Sequence, residues 1–250
     1  MPEIEKMDSL ICFLDDTREG LEVYLKEEPA VNKMNFASKA VFEKIQNAFH
    51  GVTCYGEKYV LLAGEAEDDY LPEEELDVLA NLEERNSWQN IPPLWLYTCG
   101  ASLSFVEPEA FRFLIPAYMC AALQFHFNDG RAFEFHIGDS IDKDDNIIQY
   151  EMQQACLLTD EQKNSISYYL RHMYCQDNHI DELNVSDIDN LYNQRTDYTG
   201  ITLWESKEFL EKHTNTSYSS YMNNLLSEYI KWIREKYHAS CKQNCASFFL

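Results

Sequence analysis

A mainly α fold, with at most a minor sheet, follows from three features of the sequence. From Phe111 to Leu123, inside the run Leu103–Phe127, the only strongly polar residue is Arg112. A helix apolar on nearly every side must be buried on nearly every side. Ala37, Val41, Ile45, Ala48 and Phe49 recur at helical spacing, and Tyr218, Tyr221, Met222, Leu225, Leu226, Tyr229, Ile230, Trp232 and Ile233 do so over Thr216–Tyr237. The expected architecture is one globular helical core built around a central buried helix. Residues 1–34 form an N-terminal appendage, 35–175 the core, 176–200 a loop or linker, and 201–250 a C-terminal helical segment.

In chain order, Leu10, Ile11, Leu14, Leu21, Val23 and Leu25 fit a helix only in part, and Ser9–Leu14 fits a short strand equally well. Asn35 is placed to cap the next helix, with Gly51 after its end. Tyr59–Ala63 reads as a short strand or one helical turn. Pro72 divides the acidic block Glu65–Asp77, and Glu73–Glu84 should be helical with acids at its positive N-terminal end. Trp88–Tyr97 turns through Pro92 and Pro93. Pro108 suits the first turn of the central helix, and Ser104 and Glu107 stand at capping-box spacing. Pro116 removes one backbone bond, so a kink is expected there. Asn128–Gly130 reads as a turn, and Ala132–Ile137 alternates as a strand would. Thr159 caps a helix reaching about Cys175 with Ile166, Tyr169, Leu170 and Met173 inward, and Ile201–Leu210 reads as helical.

The strings Trp88-Gln-Asn-Ile-Pro92, Leu103-Ser-Phe105, Pro108-Glu-Ala-Phe-Arg-Phe113, Pro116-Ala-Tyr-Met119 and Leu158-Thr-Asp-Glu-Gln162 belong together. With them the chain resembles the core of an uncharacterised bacterial family of unknown function, over residues 36–175. The resemblance implies a bacterial, intracellular protein. It carries over no activity and no catalytic residue.

Charge is the strongest global signal. The net charge is −23 and the pI about 4.5, which argues against a nucleic-acid or anionic-membrane surface because phosphate binding needs Lys and Arg. Residues 51–200 carry 28 Asp+Glu against 8 Lys+Arg. Crowding like charges costs stability through self-repulsion, which points either to solubility or to an acidic face that steers a basic partner. The eight cysteines are scattered, and the start Met-Pro-Glu-Ile-Glu-Lys lacks the pattern of an export signal. Reduced thiols and a cytoplasmic location are therefore expected, with no membrane span.

The loop Asp142-Lys-Asp144-Asp145-Asn146 has oxygen ligands at alternate positions, but Ile147 and Gln153 stand where a calcium loop needs Gly and Glu. His172-x-x-Cys175-x-x-x-His179 and His238-x-x-Cys241-x-x-x-Cys245 share one spacing, yet structural zinc wants four ligands in short paired spacings. No metal and no cofactor is expected. Gly100-Ala-Ser102-Leu-Ser104 lacks the second Gly of a nucleophile elbow, and there is no phosphate-binding Gly loop. Arg112 needs a carboxylate or carbonyl partner if its helix is buried.

These features favour a non-enzymatic protein that binds a basic protein partner. The concrete version is an immunity (antitoxin-like) protein occluding the active site of a cognate basic toxin. Its contact residues would be Glu73, Glu74, Glu75 and Asp77, with Asp142, Asp144 and Asp145. The rival is a small hydrolase or transferase using His126, His136 and the carboxylates near Glu107, which include Glu109. A third reading is an acidic nucleic-acid mimic.

Overall fold

A computed structural model describes residues 34–100, 102–125, 150, 152–177, 179, 181–183 and 228–241. The readings for residues 1–33, the turn at 128–130, the strand at 132–137, the loop at 142–146 and the helix at 201–210 lie outside these. The described chain is mainly α, as the apolar periodicities predict. It divides into two compact units.

The first unit holds α2 (Leu62–Asp68), α3 (Glu73–Ala80), α4 (Pro93–Thr98) and α5 (Pro108–Gln124), with short 3-10 turns at Trp88–Asn90, Ser102–Ser104 and Ala155–Leu157. The second holds α1 (Phe36–Ala48), α6 (Asp160–Asp177) and α7, residues 228–241.

α5 is the centre of the first unit. Twelve of its 17 residues are buried, among them Phe111, Phe113, Leu114, Ile115, Tyr118 and Met119. Each such side chain contributes roughly 1.5–3 kcal/mol on leaving water. Pro108 occupies the first helical position, and the helix runs on through Pro116. Glu107 is the N-cap residue by backbone geometry, but its side chain caps nothing; Ser104 is taken into a 3-10 turn, so the capping box does not form. Arg112 lies half-buried on α5 rather than enclosed. Polar side chains tie the loops to this core: Trp88 Nε1 donates to Phe49 O at 2.9 Å, Gln154 Nε2 to Leu103 O and Val106 O at 3.1 and 2.9 Å, and the Tyr118 hydroxyl to Cys99 O.

Of the two readings of Tyr59–Ala63, a short strand or one helical turn, the helical one holds for Leu62 and Ala63, where α2 begins, and the residues before them lead into it. Leu61 offers no cap of its own. The cap comes from Glu83, whose carboxylate accepts from the N–H groups of Val60, Leu61 and Ala63 at 3.2, 2.8 and 2.9 Å. A seven-residue helix is too short to persist alone, so this remote carboxylate is what fixes its start.

In the second unit α1 packs against α6. Asn35 Oδ1 accepts from Ser38 N at 2.8 Å, the predicted cap. α6 opens with a full capping box: Thr159 Oγ1 accepts from Gln162 N at 3.2 Å while Gln162 Oε1 accepts from Thr159 N at 3.1 Å. Ile166 and Tyr169 are buried as predicted, while Leu170 and Met173 are half-buried. α7 adds aromatic contacts, with Tyr229 5.4 Å and Trp232 4.8 Å from the Tyr168 ring. Lys44 Nζ lies 4.8 Å over Tyr168, and burial lowers its pKa, against the nearby charge of Glu161. Among the described residues no helix is long and apolar enough to cross a membrane.

Candidate functional site

Two arrangements of polar and exposed side chains stand out, one in each unit. In the first unit α2 and α3 form a helical hairpin, joined by Asp69–Pro72. The turn closes as a Schellman motif, with Leu71 N donating to Ala66 O at 3.1 Å and Tyr70 N to Glu67 O at 3.0 Å. That motif places its residue in left-handed conformation at position 70, where glycine is ordinarily favoured. Here a tyrosine stands at φ 59 and is 93% exposed. A bulky residue in this region is under steric strain, and a ring so exposed recovers almost nothing from packing. Its neighbours in sequence Glu67, Asp68, Asp69, Glu73 and Glu74 are all exposed, as are Val78 and Leu82 further along the chain.

The predicted contact residues divide here. Glu73 and Asp77 are exposed but paired, with Lys58 Nζ 2.6 and 3.0 Å away. Glu74 is exposed. Glu75 is not a surface residue: it is 4% exposed and shares the inner face of α3 with Leu76 and Leu79. Its inclusion in the binding face is corrected on that ground. Asp142, Asp144 and Asp145 lie outside the described residues, as do His126 and His136. Glu107 is exposed, and Glu109 accepts from the N–H groups of Tyr55 and Gly56 at 2.8 and 3.0 Å. A Cβ on Gly56 would fall 2.2 Å from Glu109 Oε2, so a larger residue there would push that carboxylate aside. Glu109 thus serves loop architecture.

Two further carboxylates are held inside this unit. Glu65 Oε2 accepts from Ser102 Oγ at 2.8 Å, and burial raises its pKa. Glu83, beside Arg85 at 2.9 Å, is likewise raised by burial, against its three backbone donors.

The second unit contains an arrangement that no local motif announced. Ser38 Oγ lies 3.0 Å from Nε2 of His172, and Nδ1 of the same ring lies 2.7 Å from Glu182 Oε1. The Tyr229 hydroxyl donates to that same Oε1 at 3.0 Å, and Gln176 Nε2 donates to Ser38 Oγ at 3.3 Å. Ser38, His172, Glu182 and Tyr229 are all buried. The imidazole tautomer with its proton on Nδ1 satisfies every contact: Nδ1–H donates to Glu182, and Nε2 accepts from the Ser38 hydroxyl. Serine, imidazole and carboxylate stand in the order of a nucleophile–base–orienting-acid relay.

This geometry also bears on the first His/Cys constellation. Both nitrogens of His172 are engaged, and burial, with the charge of Glu182, raises the pKa of the Cys175 thiol. His179 is exposed at φ 56. Among the described residues no group of three or more His, Cys, Asp or Glu side chains could hold a metal ion. His238 and Cys241 are exposed on α7, and Cys245 lies outside the described residues.

Neither the curated proteins nor the solved structures give a significant match to the chain. A family model does match, over residues 37–196, a span that includes the α2–α3 hairpin and Ser38, His172 and Glu182. The chain therefore belongs to DUF6714, described as a family of unknown function.

Proposed function

We propose that the protein acts by binding a basic protein partner through the α2–α3 hairpin, with Tyr70 as the anchor and the surrounding carboxylates as the steering charge. In its concrete form it is an immunity (antitoxin-like) protein that blocks the active site of a basic toxin, and the block itself needs no chemical step. The observation that carries this reading is Tyr70: strained, 93% exposed, and set among exposed acids. Strain kept at a surface aromatic with no internal packing to repay it is the mark of a residue used by something outside the chain. Tyrosine is among the residues that anchor interfaces, and opposite charge raises encounter rates.

The test uses the full chain as bait against lysate of its native host, then measures kinetics with the purified partner. The expected partner is basic, stoichiometric, and lost when Tyr70→Ala replaces the wild type. Association should speed up at least tenfold as ionic strength falls from about 0.1 M to about 0.01 M, where the screening length grows from roughly 10 to 30 Å. Neutralising Glu67, Asp68, Asp69 and Glu74 together should remove most of that gain. A partner that binds this variant and Tyr70→Ala at wild-type rates across salt would sink the proposal.

A further inference from the structure

We propose that Ser38, His172 and Glu182 form a serine-nucleophile relay for acyl transfer, a second capacity independent of the hairpin. The case rests on bonding order as well as proximity. The serine oxygen meets Nε2 and the carboxylate meets Nδ1, so the ring's two nitrogens separate base from orienting acid. Tyr229 donates to the same oxygen, Glu182 Oε1, and Glu182 in turn holds the imidazole. Gln176 sits one helical turn after His172 on α6, and its Nε2 lies 3.3 Å from Ser38 Oγ. That amide is within reach of an oxygen carried on a carbon bonded to Oγ, where an oxyanion would need a donor. Nucleophile, base, orienting acid and a polar donor are thus supplied by four residues in one unit.

The ligand class is a small acyl ester. Ser38 Oγ attacks the carbonyl carbon, and its proton passes to His172 Nε2. The carbon–oxygen bond to the leaving alcohol breaks as Nε2 returns that proton to it. Water then attacks the acyl-serine, His172 takes its proton and delivers it to Ser38 Oγ, and the carboxylic acid leaves. Atoms and charge balance without an oxidant or a metal. Ser38 is only 3% exposed, so the relay is closed as it stands. Reaction requires an opening motion, which limits the substrate to something small and makes the expected rate slow.

The experiment treats the purified full chain with a small alkyl fluorophosphonate, which reports an activated serine by losing fluoride and leaving a phosphonyl adduct. Peptide mass mapping should find one adduct, on Ser38, in folded wild-type protein and none after unfolding in urea. His172→Gln should slow labelling by about 10²–10⁴-fold, the usual contribution of a positioned general base. Wild-type protein that acquires no adduct on Ser38, or acquires it on another serine, overturns the proposal without any variant having to fold. A His172→Gln protein that folds and labels at the wild-type rate overturns it as well.

Discussion

Replacing Tyr70 by Gly should make the protein more stable while removing the proposed partner binding. The backbone at φ 59 costs an L-residue with a Cβ about 1–2 kcal/mol, and glycine escapes that cost. Glycine also has more freedom to lose on folding, which takes back roughly 0.5–1 kcal/mol. At 93% exposure the ring contributes almost no packing, so nothing else is forfeited. The net expectation lies between no change and a gain of about 1.5 kcal/mol, or up to about 6 °C in Tm for a chain of this size. Urea unfolding followed by circular dichroism measures it, with Tyr70→Asn as a control that tolerates the left-handed region and Tyr70→Ala as one that does not. Tyr70→Ala should lie at or slightly below wild type. If Tyr70→Gly loses 1 kcal/mol or more, the ring packs within the chain, and the argument that its strain serves a partner fails.

Two other substitutions test the carboxylates held inside the first unit. Glu83→Ala strips the cap from α2 and leaves three backbone N–H groups and one guanidinium contact without their acceptor, so a loss of about 2–4 kcal/mol is expected in the same urea assay; a loss under 0.5 kcal/mol would mean that water replaces the cap. Glu65 has a folded-state pKa raised by burial, so the folded chain holds its proton more tightly than the unfolded chain, and its contribution to stability grows as pH falls through the raised value. Glu65→Gln should therefore gain on wild type at pH 7 and lose that advantage below about pH 4.5; an advantage that is constant with pH would show that the carboxylate's charge is not what burial penalises.

What the sequence made legible is what short-range physics controls. The buried helix α5, the Asn35 cap and the Thr159 cap depend on residues within four positions of each other. The start of α2 does not: its cap lies 20 to 23 residues downstream, at Glu83, so the run Tyr59–Ala63 carries no sign of where the helix begins. Glu75 could have been placed correctly. It stands four residues before Leu79 and beside Leu76, on the stripe that α3 turns inward, and reading the acidic block as a uniform surface concealed this. The Ser38–His172–Glu182 arrangement was out of reach. Ser38 and His172 are 134 residues apart, neither sits in a catalytic motif, and His172 drew notice only through its spacing to Cys175. Such a site exists only once α1 and α6 are packed.

The acidic excess of the middle of the chain is not one property but three. Some carboxylates are structural: Glu83 caps α2, Glu109 holds the loop at Tyr55 and Gly56, Glu65 receives Ser102, and Glu84 accepts from Asn86 N and Ser87 N at 2.7 and 3.1 Å. Others are paired, as Glu73 and Asp77 are with Lys58. Glu67, Asp68, Asp69 and Glu74 have no ion pair among the described residues, and all are exposed. These four flank Tyr70 in sequence within a few positions on either side. Solubility is served by charge anywhere on a surface and is best served by spreading it, since clustered like charges repel. Clustering at one turn is therefore a cost that solubility does not explain, and strain at Tyr70 is a second cost that it does not explain either. Both fall on the same eight residues, and the proposed partner, basic and receiving an aromatic ring, would account for both at once.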